Sequence, residues 1–383
     1  MVPRRGSFFM KKIWAVALKE LLQAFRDPIS LVMLLGLPTF MLLLYGYALN
    51  FDVKHIALAV QDLDKSTASR DLTASFVNST YFDLVAALPA GADFGKITER
   101  RQARAILVIP EDYSRKVAAG EKARVQIIID GSDANTAVTL LGYASAIVSD
   151  ANVEIMRGTL ASLGQKNLPA ISYEPRVWYN PELLSTHFLV PGLIGFIIML
   201  TAVLSTALSV VREKERGTLE QIRVAPISAI QLITGKTLPY LGISLLATAI
   251  ILVAARFLFG VVIQGPYLDL FIATLLYLIG ALGFGLLVSS FAETQSEAFQ
   301  TGFVASMLPA LILSGFIFPI RSMPKALQII TYAVPARYYL VILRGVILKG
   351  AGLAPYRNQV WFLTLYSITV LGIAILRLRR KEA

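Results

Sequence analysis

The chain contains no cysteine. That removes disulfides, thiolate nucleophiles and cysteine zinc sites, and leaves the redox compartment open. Its two histidines, His55 and His187, lie far apart in sequence, so a histidine-rich metal centre is not expected. Charge is scarce as well, with Asp, Glu, Lys and Arg together at 16%, against about 25% in soluble domains. What fills the space is apolar. Hydrophobic residues take 56% of the 383 positions before the 26 glycines are counted, and mean hydropathy is +0.64. A single soluble core cannot hide that much apolar surface, which excludes an ordinary soluble enzyme and a disordered chain. The remaining charge is lopsided: 36 basic against 25 acidic side chains, net +11, with a pI near 9.7. Such an excess fits nucleic acid, an anionic membrane surface, or a membrane protein with basic edges.

The apolar residues fall in blocks. Six segments reach the length of about 20 residues that crosses a ~30 Å hydrocarbon layer: 29–49, 186–211, 238–259, 270–290, 298–319 and 359–376. The sequence therefore predicts an α-helical polytopic membrane protein with six transmembrane helices. The polar stretch 50–184 between the first two is too long for a turn and is read as an inserted domain. Orientation follows the basic residues. The leader 1–28, the loop 212–236 and the tail after 376 carry fifteen; the short segments on the other side carry seven, from Arg256 to Arg357. Both termini are expected in the cytoplasm and domain 50–184 outside. The six basics between the last two spans dissent from the rule. The first span is longer than a signal-peptide core and no cleavage pattern follows it, so a retained anchor is expected, with Met10 as a candidate start.

Before that span, Trp14, Leu18, Leu21 and Phe25 recur at helical spacing, with Lys12, Lys19, Gln23 and Arg26 elsewhere on the wheel. Asp27-Pro28 breaks the helix. A basic amphipathic helix beside a span suits the cytoplasmic interface; a plain extension of the first span is the other reading.

Residues 50–184 alternate strand-like runs (56–60, 82–87, 105–109, 125–130, 171–178) with helix-like ones (67–78, 94–102, 111–119, 133–163). This predicts an α/β domain with an open sheet. Its charges nearly cancel, so the net +11 comes from the membrane edges and no nucleic-acid partner is expected. Asp62-Leu-Asp64 has the spacing of a metal-binding DxD, yet two carboxylates after a strand also make a turn or helix cap, and that reading is preferred. Asp130-Gly-Ser-Asp133 is read as a turn with Asp133 as an N-cap. There is no GxSxG, HExxH or carboxylate–histidine constellation. The domain reads as a binding or docking module.

Two stretches look functional. Arg212-Glu-Lys-Glu-Arg-Gly-Thr-Leu-Glu220 is a dense cluster of both signs at a membrane edge. Gly217 would end the preceding helix, Thr218 could cap the next, and Glu220 would sit near that helix's positive end. Mixed charge can fix register against a soluble partner, although a solvated loop would look similar. Nearby Gly235-Lys-Thr237 evokes a nucleotide loop, but Ile230 stands where GxxxxGK[ST] needs its first glycine, so it is rejected. The second stretch runs Leu313-Ser-Gly-Phe-Ile-Phe-Pro319 to Pro324. Its prolines and glycine argue against a continuous helix, and broken backbone at membrane depth belongs where it is buried or lines a wet cavity. It is read as turning back into the membrane, with an interfacial helix around Pro335–Gly350 accounting for the dissenting basics; a kinked loop is the plainer reading.

Taken in order along the chain, these stretches resemble the membrane subunit of type-2 (ABC-2) transporters, in the exporter branch with a large domain after the first span. They are Lys19-Glu20…Arg26-Asp27-Pro28, Asp62 to Arg70, Asp130 to Asn135, Arg212 to Glu220, Gly235-Lys236…Pro239-Tyr240, Ser289…Gln295, Leu313 to Pro319, and Arg344-Gly…Lys349-Gly350. The resemblance implies a coupling loop that seats in a separate ATP-binding subunit, at Arg212, Glu213, Glu215, Arg216, Gly217, Thr218 and Glu220. It implies a connecting helix bearing Lys19, Glu20, Arg26 and Asp27. It implies an outer re-entrant hairpin, about 313–350, gated by Ser314, Gly315, Phe316, Phe318 and Pro319. ATP and Mg would be used by the partner, with no cofactor on this chain. Further partners implied are a second permease copy or a similar permease, a periplasmic adaptor, and the bilayer of the bacterial inner membrane. The expected function is efflux of a drug-like, amphipathic or lipid-like substrate. The alternative is a membrane-anchored receptor or envelope scaffold whose outer domain binds a ligand.

Overall fold

The computed structural model describes residues 5–48, 55–100, 102–132, 134–162, 178–180, 184–218 and 227–382. The chain divides into two compact units, 1–50 with 177–383, and 51–176.

The first unit opens with helix α1 (Arg5–Arg26), broken at Asp27. The first expected span follows as α2 (Pro28–Leu31), a π turn (Val32–Gly36) and α3 (Leu37–Ala48). It is not one regular α-helix. Pro38 cannot donate the amide hydrogen of an uninterrupted ladder, and the wider turn stands just before it. Its apolar helical stretch, Leu34–Ala48, is shorter than the helices that are long and apolar enough to cross a membrane among the described residues, so the span expected at 29–49 is not one of them.

The inserted unit has strands β1 (Ile56–Asp62), β2 (Phe82–Ala87), β3 (Ala105–Ile109) and β4 (Gln126–Ile129). Helices α4 (Thr67–Val77), α5 (Phe94–Glu99), α6 (Tyr113–Ala118) and α7 (Ala134–Ser162) alternate with them. The sheet order is β2-β1-β3-β4, parallel across the first three strands and antiparallel at β4. β1 and β3 are central and apolar on both faces, as strands covered on both sides must be. Leu58, Val60, Leu107 and Ile109 pack with Leu72, Phe76 and Leu140 on one face. Ala59 and Ile106 pack near Phe94 and Ile97 of α5 on the other. The Asp62-Leu-Asp64 carboxylates tie the turn after β1. Asp62 accepts from the amides of Asp64 and Lys65 at 3.1 and 2.9 Å and from Ser69 Oγ at 2.7 Å. Asp64 accepts from the Ser114 amide and hydroxyl, and Ser66 caps α4. Asp133 and residues 171–177 of the expected last strand lie outside the described residues.

The rest of the first unit is α8 (Ser185–Glu215), α9 (Ala229–Phe259), α10 (Tyr267–Ser289), α11 (Gln295–Leu308) with a π turn (Pro309–Leu313), α12 (Lys325–Ile330), α13 (Pro335–Lys349) and α14 (Arg357–Glu382). Among the described residues, α8, α9, α10, the α11 run and α14 are each long and apolar enough to cross a membrane; the bent pair α12–α13 would add a sixth by that test. This is the architecture of a polytopic membrane protein. α8 is the central helix, its apolar stretch almost wholly buried.

The helix after the broken segment, α13, packs into the bundle, with ten of its fifteen residues buried. Its Tyr339 stacks on Tyr277 of α10, with ring centroids 4.1 Å apart, and meets the Thr274 hydroxyl at 2.9 Å. Tyr277 in turn donates to the Gly195 carbonyl of α8 at 2.9 Å. Satisfied phenols let α13 sit in the core. The exposed apolar surface belongs instead to α12 and the turn after it, where Ile329, Ile330 and Tyr332 face outward.

The α8–α10 contact depends on a glycine. A Cβ on Gly285 would come within 2.0 Å of Thr206 Oγ1 and 2.4 Å of the Val203 carbonyl oxygen. The second neighbour is backbone and cannot swing away. Gly285→Ala is expected to cost about 1–3 kcal/mol, read as a lowered apparent Tm of the detergent-purified chain, whereas Gly242→Ala, which meets nothing within 4 Å, should leave it unchanged.

Candidate functional site

At the end of the bundle where α1, α8 and α9 meet, two lysines and two glutamates form an alternating network. The face of α1 turned to the bundle is small and charged: Ala17, Glu20 and Ala24 are buried, while Trp14, Leu18, Leu22 and Phe25 are exposed. Gly235 of α9 permits the approach, since a Cβ there would lie 2.7 Å from Val16 Cβ and 3.0 Å from the Ile13 carbonyl. The next residue, Lys236, then reaches Glu20 at 2.8 Å and Glu213 of α8 at 2.7 Å. Lys19 pairs with Glu213 and, at 3.3 Å, with Glu20. Ser209 donates to the second Glu20 oxygen at 3.1 Å. Glu20, Glu213 and Lys236 are each no more than 3% exposed. Two positive and two negative charges cancel, which lets such a cluster be buried.

Burial alone would push the Glu20 carboxyl up, but Lys236 and Lys19 beside it hold it below the ordinary carboxylate range. Burial would likewise push the Lys19 ammonium down, but Glu213 and Glu20 hold it above its usual value. The signs set a pH window. Stabilisation from Glu20 is present at neutral pH and is lost as pH falls below the usual carboxylate range, through the depressed pKa. Stabilisation from Lys19 is lost only as pH rises past the usual lysine range, through the raised one. The apparent Tm should therefore be flat from roughly pH 6 to pH 9 and fall in acid, with a shallower acid fall in Glu20→Gln.

The charged run at the end of α8 is bound residue by residue. Arg212 pairs with Asp27 at 3.1 Å and donates to Gln295 at 3.4 Å. Lys214 pairs with Glu293 at 2.6 Å and donates to the Ala292 carbonyl. Glu215 accepts from the Gln295 amide at 2.6 Å and from its side chain. Gly217, at φ +68°, ends the helix in the left-handed region open to glycine. Thr218 donates to the Glu213 carbonyl at 3.2 Å, so its hydroxyl closes α8. The structure thus joins Lys19, Glu20, Asp27, Arg212, Glu213 and Glu215 to neighbouring helices, and leaves Arg26, Arg216 and Gly217 exposed. Glu220 lies outside the described residues.

At the far end of α11, Ser314 donates to the Ala310 carbonyl and Gly315 turns the chain at φ +81°. Phe316 is fully buried, stacked on Phe196 and seated over Gly192, where a Cβ would come within 2.1 Å of its ring. Phe318 is exposed, and Pro319 precedes a short 3-10 turn, Ile320–Ser322. Arg344 of α13 holds this segment. Its guanidinium donates to the Gly315 and Phe316 carbonyls at 3.0 and 3.3 Å and lies 3.9 Å above the Phe188 ring. Lys236, Arg344 and Gly192 were absent from the sequence-based candidates. For Lys236 the available signal was a cation near the start of an apolar helix.

The family model of the ABC-2 family transporter protein matches residues 28–376. Among curated proteins, the chain is 32% identical to the Probable multidrug ABC transporter permease YbhS of Escherichia coli (strain K12), over 97% of each. It is 31% identical to the Probable multidrug ABC transporter permease YbhR of the same strain, over 97% of this chain and 99% of the relative. The Linearmycin resistance permease protein LnrN of Bacillus subtilis (strain 168) is 22% identical, over 89% and 92%. A match along nearly the whole chain, spanning both ends of the bundle just described, places this protein in the ABC-2 transporter family as a permease.

Proposed function

We propose that the chain is the membrane-spanning subunit of an ATP-driven exporter in the bacterial inner membrane. A separate ATP-binding subunit, using ATP and Mg, would dock on the loop that follows α8. The observation that carries this reading is the buried Lys19–Glu20–Lys236–Glu213 network. It binds α1, the end of α8 and the start of α9 into one body, so a push on the loop moves α8, the core helix. The exposed Arg216 and Gly217, leading into Glu220, stand at the tip of that lever.

The excess of basic residues on the 1–28, 212–236 and C-terminal segments favours cytoplasmic termini, with the inserted α/β unit in the periplasm. There it can meet an adaptor protein. A second permease copy, identical or similar, would complete the path. The relatives' names, multidrug permease and linearmycin resistance permease, and the scarcity of charge within the spans favour an amphipathic, drug-like or lipid-like substrate. The receptor or scaffold alternative is not favoured by permease relatives.

The docking test leaves the buried network intact. Glu220→Lys should abolish complex formation with the ATPase and its stimulation, while the apparent Tm of the chain alone stays unchanged. Wild-type complex formation by that variant would remove the loop from the coupling path.

A further inference from the structure

Between α1 and the end of α8 lies an open groove of about 600 Å³, lined by Lys19, Leu22, Arg26, Asp27, Arg212 and Arg216. Its one carboxylate, Asp27, is engaged by Arg212 at 3.1 Å, and Lys19 by Glu213 and Glu20. Arg26 and Arg216 are exposed; the one carboxylate acting on Arg216, that of neighbouring Glu215, is outside the groove lining and already accepts from the Gln295 amide and side chain. The groove therefore keeps a positive surplus carried by two guanidiniums, the group whose planar fork matches phosphate oxygens.

Leu22 also belongs to the stripe Trp14, Leu18, Leu22 and Phe25, spaced i, i+4, i+8 and i+11 along α1. All four are at least 43% exposed. The groove thus opens onto an apolar face with an indole at its far end. A free anion needs only the cations. A molecule with a phosphate at one end and hydrocarbon at the other uses both, and a basic amphipathic helix beside a span is where such a molecule is met.

We infer that this groove is a binding site for an anionic phospholipid of the leaflet facing α1. Arg26 and Arg216 hold the headgroup phosphate, and the acyl chain runs along Leu22 and Phe25. The bound lipid neutralises the surplus beside the Lys19–Glu20–Lys236–Glu213 network and fastens α1 to the bilayer. The choice of leaflet rests on the orientation given above; the site itself rests on the groove and the stripe.

The test uses the full chain in nanodiscs of equal parts phosphatidylglycerol and phosphatidylcholine, with retained lipid counted by native mass spectrometry. Wild type should retain phosphatidylglycerol over phosphatidylcholine. Arg26→Ala/Arg216→Ala should reduce that preference by about tenfold or more, and Arg26→Lys/Arg216→Lys should keep most of it. Phe25→Glu, at an exposed position, should weaken retention with the cations intact. No preference in the wild type, or the same preference in the double alanine variant, would overturn the site. Displacement by millimolar inorganic phosphate would make the groove a free-anion pocket and overturn the lipid assignment. Stripping of the lipid by an added ATPase subunit would give the groove to protein docking and overturn it too. The lipid assay contains no ATPase, so it can fail while the coupling reading stands, and the docking test can fail while lipid preference stands.

Discussion

Replacing Lys236 with alanine should be among the most damaging single changes in the chain, costing about 3–5 kcal/mol. Lys236 is 3% exposed and is the cation shared by Glu20 and Glu213, which are equally buried. Its removal leaves two carboxylates facing each other with only Lys19 between them. Lys19→Ala removes a charge that is itself 45% exposed; water screens that position and the cost should be under about 1 kcal/mol. The ordering Lys236→Ala far worse than Lys19→Ala is the informative result, read from apparent Tm and from the yield of ATPase complex. A triple variant, Glu20→Gln/Glu213→Gln/Lys236→Met, should recover much of the loss, because the desolvation penalty disappears with the charges. If the triple variant is no better than Lys236→Ala, the damage comes from lost packing against α1 and the network is not what holds the three helices together.

That prediction needed the structure. Gly235-Lys-Thr237 reads in the sequence as a failed nucleotide loop, and rejecting it leaves Lys236 without a role. Its meaning lies in two partners 216 and 23 positions away, and no local pattern encodes a helix crossing. The reverse holds for α1: the exposed apolar stripe was legible at helical spacing, with Leu22 rather than Leu21 as its third member. Its buried face was not legible, because Ala17, Glu20 and Ala24 do not look like a core. Spans were legible because hydrocarbon thickness imposes a length. The packing of α13 was not legible because Arg337, Arg344 and Lys349 give it an interfacial composition. Burial is possible because the Arg344 charge is taken up by carbonyls of the broken segment, and Arg337 lies 3.9 Å over the Tyr332 ring.

The same broken segment carries the second large effect. Gly192→Leu should dislodge Phe316 and disable transport while leaving ATPase docking intact. A Cβ at position 192 would already lie 2.1 Å from the Phe316 ring. That ring has no spare room: it is fully buried and stacked on Phe196, and Arg344 holds the carbonyls on either side of its amide and Cα. Overpacking of this kind costs about 1–3 kcal/mol when neighbours can shift, and more is expected where the backbone is tied. If the segment moves, the Gly315 and Phe316 carbonyls lose their donor, at about 1–3 kcal/mol for each left buried and unsatisfied. The strain has a specific remedy. Phe316→Ala alone opens a cavity under α8 and should cost about 3–5 kcal/mol. Combined with Gly192→Leu, the new side chain occupies part of that space, so the double variant should be more stable than the sum of the two losses predicts. Transport by reconstituted permease and ATPase, measured beside apparent Tm, separates the outcomes. Strict additivity would mean that residues 192 and 316 do not share one contact, and normal transport by Gly192→Leu would mean that the seat of Phe316 has no part in transport.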